Sequence, residues 1–317
     1  RIRSPKLSME ILTAGKTSQT DIVLCYMENR VDRRLLRELK GRINAIKLDS
    51  LTMNQESLAE CIYEQKWYNP FPKFKYTERP DAASAAILEG NIVVLVDNSP
   101  QAMIVPTSVF DIVEEADDYY FPPVTGSYLR LTRFLIAIIT LLLTPTFLLL
   151  FQNPQWVPDW LAFIQIKEAV NVPIVWQFLI LELAIDGMRL AAINTPSMLS
   201  TPLSVTAGIV LGQFTVDSGW FNSEIMMYMA FVAIANYTQS SYELSYALKF
   251  MRLIMLVLTS AFGLLGYLGG FALTLAAIAG NKTIAGKSYI YPLFPLNLSQ
   301  LKKRFLRLRL KEETEGK

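Results

Sequence analysis

The sequence predicts an α/β soluble domain followed by an all-α polytopic membrane domain, and three observations lead to this fold class. Up to Asp118 the chain is rich in charged residues, and strand-like segments alternate there with helix-like ones. Residues 134–280 are nearly free of charge and contain long apolar runs. Basic residues return after Lys302. We therefore predict a cytoplasmic α/β domain over residues 1–125, transmembrane helices over residues 126–290, and a basic cytoplasmic tail over residues 291–317.

The soluble part is predicted from the spacing of its apolar residues. Short runs rich in β-branched residues predict strands at residues 20–27, 91–96 and 102–105. Charged, amphipathic segments predict helices at residues 32–46, 54–66 and 79–89. Gly90 follows the third helix, in the position where a left-handed backbone favours glycine.

No constellation of residues in the sequence is typical of an enzyme. The chain has no His, which removes the commonest general base and metal ligand. Cys25 and Cys61 lie far apart, so we predict reduced thiols packed in a core. Glu78, Arg79 and Asp81 could form a charged site, but a local network at the start of a helix is the favoured interpretation. We predict that the protein is not an enzyme and needs no cofactor or metal.

Apolar runs supply the candidate membrane spans. The first, residues 134–151, is long enough to cross a hydrocarbon core, and Arg130 and Arg133 precede it, which places the soluble domain in the cytoplasm. Residues 203–216, 225–237 and 253–280 are three further candidates. The glycines predicted to allow close helix packing in these segments are Gly208, Gly212, Gly266 and Gly270.

One apolar segment, residues 172–193, differs from the others because Glu182, Asp186 and Arg189 lie on one stripe of the predicted helix. It could lie at the membrane surface with Asp186 and Arg189 paired, or it could line a water-filled ion path, and the sequence leaves both open. If both termini are cytoplasmic, the number of crossings is even. We therefore predict about four crossings and one amphipathic or re-entrant helix, namely this one, which puts Lys249 and Arg252 outside.

The two ends of the chain also carry predictions. The chain opens on Arg1 without a basic and then apolar signal segment, so we expect the natural N-terminus to lie upstream. At the other end, residues 302–311 alternate basic residues with Phe and Leu, which is typical of a segment that contacts an anionic leaflet of the bilayer. A solvated helix is the alternative. Nucleic-acid binding is not expected beside a membrane anchor.

Several short motifs follow one another in a specific order. A Thr-Glu-Arg-Pro-Asp run precedes a Leu-Glu-Gly, a Val-Asp, an Ile-Val-Pro and an Asp-Asp-Tyr-Tyr. In this order the chain resembles the A-subunit family of spore germination receptors, the GerA family, over residues 18–295. Asp117 departs from the Glu expected before Asp-Tyr-Tyr. The membrane half is more similar to a sporulation-protein branch of the family than to nutrient-receptor A subunits. The motif residues are Thr77, Glu78, Arg79, Pro80, Asp81, Gly90, Asp97, Tyr119 and Tyr120.

The resemblance implies a multi-pass protein of the inner spore membrane with its soluble domain on the cytoplasmic or spore-core side. It implies a homo-oligomeric channel, a ring of about five copies, that releases monovalent cations and amplifies the germination signal. It also implies another small spore membrane protein as partner. Glu182 or Asp186 would then supply a negative ring for cations. A non-conducting scaffold and a nutrient-receptor A subunit are the alternatives.

Overall fold

The computed structural model describes residues 2–64, 66–194, 205, 206 and 208–307. The chain forms two compact units. One contains residues 1–131 together with 277–317, and the other contains residues 132–276. The C-terminal stretch thus belongs to the same unit as the N-terminal domain, whereas the sequence predicts a separate tail over residues 291–317. Residues 308–311 of the predicted basic segment lie outside the described residues.

The first unit contains a five-stranded sheet in which every strand pair is antiparallel. The strands lie in the order β1-β2-β4-β5-β3, so the predicted alternation of strands and helices does not produce a parallel sheet. The two edge strands, β1 and β3, were not predicted. β1 exposes Met9 and Ile11, and β3 is only three residues long, so neither has a buried apolar run. The strands are β1 Leu7–Ala14, β2 Thr20–Met27, β3 Lys75–Thr77, β4 Ile92–Val96 and β5 Ala102–Val105.

Four helices accompany the sheet: α1 Arg33–Asn44, α2 Gln55–Ile62, α3 Pro80–Glu89 and α4 Val109–Val113. Helix α1 begins at Arg33 because the Asp32 carboxylate accepts hydrogen bonds from two backbone amides of its first turn. Gly90 ends α3 at φ 102°, and a Cβ there would lie 2.8 Å from the carbonyl oxygen of Arg30. Cys25 is buried and Cys61 is half-buried beside the core, both as free thiols, which confirms that prediction.

The C-terminal stretch completes the core of this unit. Ile284 packs among the buried residues of the sheet and α1. Tyr289 is fully buried, and its hydroxyl group donates a hydrogen bond to the carbonyl oxygen of Pro72 over 2.7 Å. The last described helix, α9, spans Leu298–Phe305, and its final ring packs edge-on against Phe110. These contacts explain why the chain after the membrane region folds with the N-terminal domain.

The second unit is helical. The helices that contribute to it are α5 Pro123–Gln152, α6 Ile174–Asn194, α7 Ser223–Tyr237 and α8 Tyr242–Ala279, with a π-helical segment at Ile209–Phe214. Within the described residues, α5 and α8 are the two helices long and apolar enough to cross a membrane. Of the predicted segment 203–216, residues 203, 204 and 207 lie outside the described part of the chain.

Helix α8 is a hairpin of two arms. Gly263 has φ 57° and ψ −130°, which breaks the helix between residues 242–262 and 264–279. A Cβ at Gly266 would clash with the carbonyl oxygen of Leu258, and one at Gly270 would lie 2.9 Å from the Cα of Met255. In a straight helix such partners would be separated by more than about 10 Å, because each residue rises about 1.5 Å. The arms therefore run antiparallel and in close contact. Around Gly208 and Gly212, the described residues leave open space.

The close approach of the two arms predicts a large difference between neighbouring glycines. We expect Gly266→Ala to lower the free energy of unfolding by about 1–3 kcal/mol, because the new methyl group meets backbone atoms that cannot move independently. Gly269→Ala is the matched control, since a Cβ there meets nothing within 4 Å. Thermal unfolding of both variants in detergent measures the difference. Equal midpoints would contradict the hairpin.

Candidate functional site

A cluster of four charged side chains lies inside the helical unit. It consists of Glu182 and Asp186 from α6 and Lys249 and Arg252 from α8, and we call it the charge cluster. The Arg252 Nε donates to Glu182 Oε1 over 3.0 Å, and its Nη2 contacts the same oxygen. The Lys249 Nζ lies 3.1 Å from Glu182 Oε2 and also pairs with Asp186. Two acids and two bases balance, so the cluster is electrically neutral.

The positions of these residues on their helices explain why they meet. Glu182 and Asp186 are four residues apart on α6, and Lys249 and Arg252 are three apart on α8, so each pair lies on one helix face. Arg252 is fully buried and also donates a hydrogen bond from Nη1 to the carbonyl oxygen of Thr140 on α5, over 2.9 Å. The cluster therefore connects three helices through a single guanidinium group.

The two acids of the charge cluster differ in their access to solvent. The side chain of Glu182 is 6% exposed, whereas that of Asp186 is 31% exposed. An ionised carboxylate among apolar helices is costly unless it is paired or faces water. Glu182 meets that condition by pairing with both cations. Asp186 meets it with Lys249 on one side and an open face on the other.

Arg189, the third residue of the predicted stripe, does not join this cluster. Its guanidinium group lies over the rings of Tyr237, Tyr242 and Tyr246, at 4.8, 5.2 and 5.3 Å from their centroids. The alternative in which Asp186 pairs with Arg189 at the membrane surface is therefore wrong about the partner of Asp186, which is Lys249. The cause is the facing helix, whose cation approaches the acid more closely than the neighbour on its own helix.

Lys249 and Arg252 were not among the predicted site residues, and the side of the membrane predicted for them stays a prediction. The last predicted apolar segment begins at residue 253, after the second cation, whereas the helix begins at Tyr242. The structure places both cations inside the first arm of the hairpin, where they are buried. The spacing within each pair, four residues for the acids and three for the bases, could have identified the cluster. Two acids and two bases on different apolar helices can neutralise one another only by facing each other.

A second buried group of charges lies in the first unit. Arg130, at the start of α5, pairs with Glu114 at 2.6 Å and with Asp118 at 3.3 Å. Arg304 of α9 pairs with the other oxygen of Glu114 at 2.8 Å and with Asp111 at 2.6 Å. We call this group the acidic joint. Through the shared Glu114 it connects the C-terminal helix and the first turns of α5 to the soluble domain.

The environment of the acidic joint shifts the pKa values of its members. Burial alone would raise the pKa of the Glu114 carboxyl, but attraction to Arg130, Arg304 and Lys75 outweighs burial and lowers it. For Arg304, burial alone would lower the pKa, but the attraction of Asp111 and Glu114 outweighs burial and raises it. Arg304 of the predicted basic tail is therefore engaged by protein carboxylates.

Some residues of the family motif form a network around Arg79, whereas Gly90 and Asp97 lie at opposite ends of β4. Arg79 hydrogen-bonds Asp81 over 2.9 Å, also pairs with Asp117, and lies over the ring of Tyr120 at 5.3 Å. The hydrogen bond from Arg79, followed by that from the Tyr120 hydroxyl, holds the pKa of the Asp81 carboxyl well below its usual range. Four other motif residues make local hydrogen bonds. The Thr77 hydroxyl accepts from the Arg79 amide, and Glu78 accepts from the side chain of Gln101. Tyr119 donates to Glu114, and Asp97 accepts from the amide of Asn98.

Comparison with known proteins assigns the chain to a family. The profile described as Bacillus/Clostridium GerA spore germination protein matches residues 1–316. The chain belongs to the GerA family. This confirms the resemblance carried by the Thr-Glu-Arg-Pro-Asp and Asp-Asp-Tyr-Tyr motifs, and with it the chain is a membrane protein of the spore germination receptor family.

Several relatives are similar over nearly the whole chain. Stage V sporulation protein AF of Bacillus subtilis is 36% identical over 297 residues, which cover 94% of this chain and 60% of that protein. Spore germination protein A1 of Bacillus subtilis is 28% identical over 316 residues, 99% of this chain and 65% of that protein. The higher identity of the first agrees with the predicted likeness to the sporulation branch. The chain spans less than two thirds of the length of these relatives.

One solved structure is also similar in sequence. It is the crystal structure of the N-terminal domain of the A subunit of the Bacillus megaterium spore germinant receptor GerK3. It is 32% identical to this chain, and the match covers 33% of this chain and 81% of the solved one, with a TM-score of 0.25.

Proposed function

We propose that this GerA-family protein forms an oligomeric channel in the inner spore membrane that releases monovalent cations from the spore core and amplifies the germination signal. The single observation that supports conduction is the charge cluster within the apolar helical unit. Ionisable groups at membrane depth are costly and usually mark an ion path or its gate. Four of them on facing helices exceed what anchoring the soluble domain requires.

The geometry favours different roles for the two acids in this proposal. Glu182 is closed off by Arg252 and Lys249, so it holds the helices together and stabilises the two cations. Asp186 is partly exposed, so it is the carboxylate that a passing cation would meet. In a ring of about five copies, as the resemblance implies, five such carboxylates would face one path. Arg189 and its three tyrosines would lie one helical turn further along α6.

The arrangement of the first unit supports an even number of crossings. Residues 1–131 and 277–317 form one compact unit, so the polypeptide between them leaves and re-enters on the same side of the bilayer. Arm 242–262 of α8 is about 30 Å long at about 1.5 Å per residue, enough to cross the hydrocarbon core. The two antiparallel arms of α8 and the helix α5 make three crossings in this proposal, so the even count requires one more crossing between residues 153 and 241.

Conductance tests the proposal directly. We expect the purified full chain in planar bilayers to conduct K⁺ and Na⁺, and we expect Asp186→Asn to reduce cation over anion selectivity several-fold, because the exposed negative charge is lost. The matched control is Asp159→Asn, an exposed acid in the loop after α5. Absence of current from well-incorporated protein would favour the alternative, a non-conducting scaffold that binds another small spore membrane protein. A current that changes when nutrients are added would favour a nutrient-receptor A subunit.

A further inference from the structure

The loop between α2 and β3 exposes two aromatic side chains. Trp67 is 95% exposed and Tyr68 is 60% exposed, and their rings meet edge-on with centroids 6.0 Å apart. The Lys66 ammonium group lies over the Tyr68 ring at 5.8 Å. A tryptophan projecting almost completely into water leaves a large apolar surface without a partner, whereas indole and phenol groups are enriched where an apolar layer meets water.

The next residue fixes this aromatic pair beside the end of a membrane helix. The buried side chain of Asn69 donates to the carbonyl oxygen of Ala277, in the last turn of α8, over 2.9 Å. It also exchanges hydrogen bonds with the side-chain amide of Asn281, at 2.9 and 3.2 Å. Trp67 and Tyr68 are therefore held at the level where the second arm of the hairpin ends.

The loop after Asn69 is held by buried side chains. Phe71 is fully buried, and the Lys73 ammonium group is buried between the rings of Tyr63 and Tyr289, at 5.5 and 5.1 Å. Burial, followed by repulsion from Lys66, lowers the pKa of Lys73 to about 8. These contacts fix the position of the loop from Asn69 onwards, and Lys66, Trp67 and Tyr68 before it are exposed.

We propose that Trp67 and Tyr68 anchor the soluble domain in the headgroup layer of the bilayer, with the exposed Lys66 and Lys282 facing anionic lipid headgroups. The hydroxyl of Tyr63 donates to the carbonyl oxygen of Lys282 over 3.1 Å, so both lysines lie at this edge of the domain, where Glu64 is the exposed acid in the same loop. Lysines close to an anionic membrane surface are attracted to it. The inference rests on the hairpin lying in a bilayer and is independent of conduction.

Fluorescence of the full chain in vesicles tests the anchor. The chain is reconstituted in phosphatidylcholine and phosphatidylglycerol, with acyl chains either plain or brominated next to the headgroup. The emission of the Trp67→Phe variant is subtracted from that of the native chain, which leaves the contribution of Trp67 alone. We expect this contribution to be blue-shifted and to fall roughly twofold in the brominated vesicles, because interfacial indole lies within contact of these carbons.

A red emission that brominated lipid does not quench would overturn the proposal and leave Trp67 in water. A blue emission that brominated lipid does not quench would also overturn it, since a second copy of the chain or another protein would then cover the loop. Because Trp67 is exposed, its replacement should leave the thermal midpoint unchanged, and this is measured on the same samples. The non-brominated vesicles control for the effect of reconstitution.

Discussion

Glu182→Leu is expected to lower the free energy of unfolding by about 3–5 kcal/mol, because it leaves the guanidinium group of Arg252 buried without its carboxylate. In the variant, Arg252 keeps its hydrogen bond to the carbonyl oxygen of Thr140, but this oxygen carries no full negative charge. A loss of this size exceeds that of a typical core substitution. Unfolding in detergent, followed by the thermal midpoint and by denaturant titration, measures it.

A second substitution separates charge from packing in this prediction. The double variant Glu182→Leu/Arg252→Met removes both charges and replaces them by side chains of similar length, so it should recover much of the lost stability. Lys249 keeps its partner Asp186 in both variants. If the double variant were as unstable as the single one, the cost would come from packing, and the ion pair would not be the cause.

Local sequence pattern is sufficient to predict some elements of the fold. Strand β2 and helices α1 and α3 could be predicted because their burial follows from residues adjacent in sequence, as in the apolar run at residues 20–27 and the left-handed Gly90. Strand β1 could not, since its exposed Met9 and Ile11 obscure the alternation expected of a half-buried strand. The change from the charged N-terminal domain to the apolar helices follows from charge density, but the return of residues 277–317 to the first unit does not.

Features that depend on chain reversal could not be predicted in the same way. Hydropathy predicts one long span over residues 253–280, but the backbone reverses at Gly263. The hairpin differs from a straight helix by the left-handed conformation of this one glycine, which hydropathy does not detect. The partners of Glu182 lie 67 and 70 residues away in sequence, so no local spacing identifies them. The return of Tyr289 and Arg304 to the soluble domain is a long-range contact of the same kind.

The acidic joint has a consequence of its own for the family. Asp118 belongs to the Asp-Asp-Tyr-Tyr motif, and its carboxylate reaches Arg130 at the first turns of α5. The same guanidinium group also donates to the carbonyl oxygen of Lys303 in α9 over 3.1 Å. The motif thus connects the start of the first membrane helix to the helix that follows the last one. A change in the soluble domain that displaced Asp118 would act on both helices together.

Arg130→Met is expected to destabilise the protein by about 3–5 kcal/mol at neutral pH, because Glu114 and Asp118 would remain buried without that cation. In the native chain the lowered pKa of Glu114 contributes stability that is present above about pH 4.5 and is lost as the pH falls through the lowered pKa. In the variant the pKa of Glu114 rises, so protonation costs less and the deficit relative to the native chain should shrink as the pH falls. Thermal unfolding of both chains across mildly acidic to neutral pH measures this, with Arg37→Met, an exposed arginine on α1, as the control. A deficit that stayed constant with pH would mean that lost packing, and not the unpaired carboxylates, causes the destabilisation.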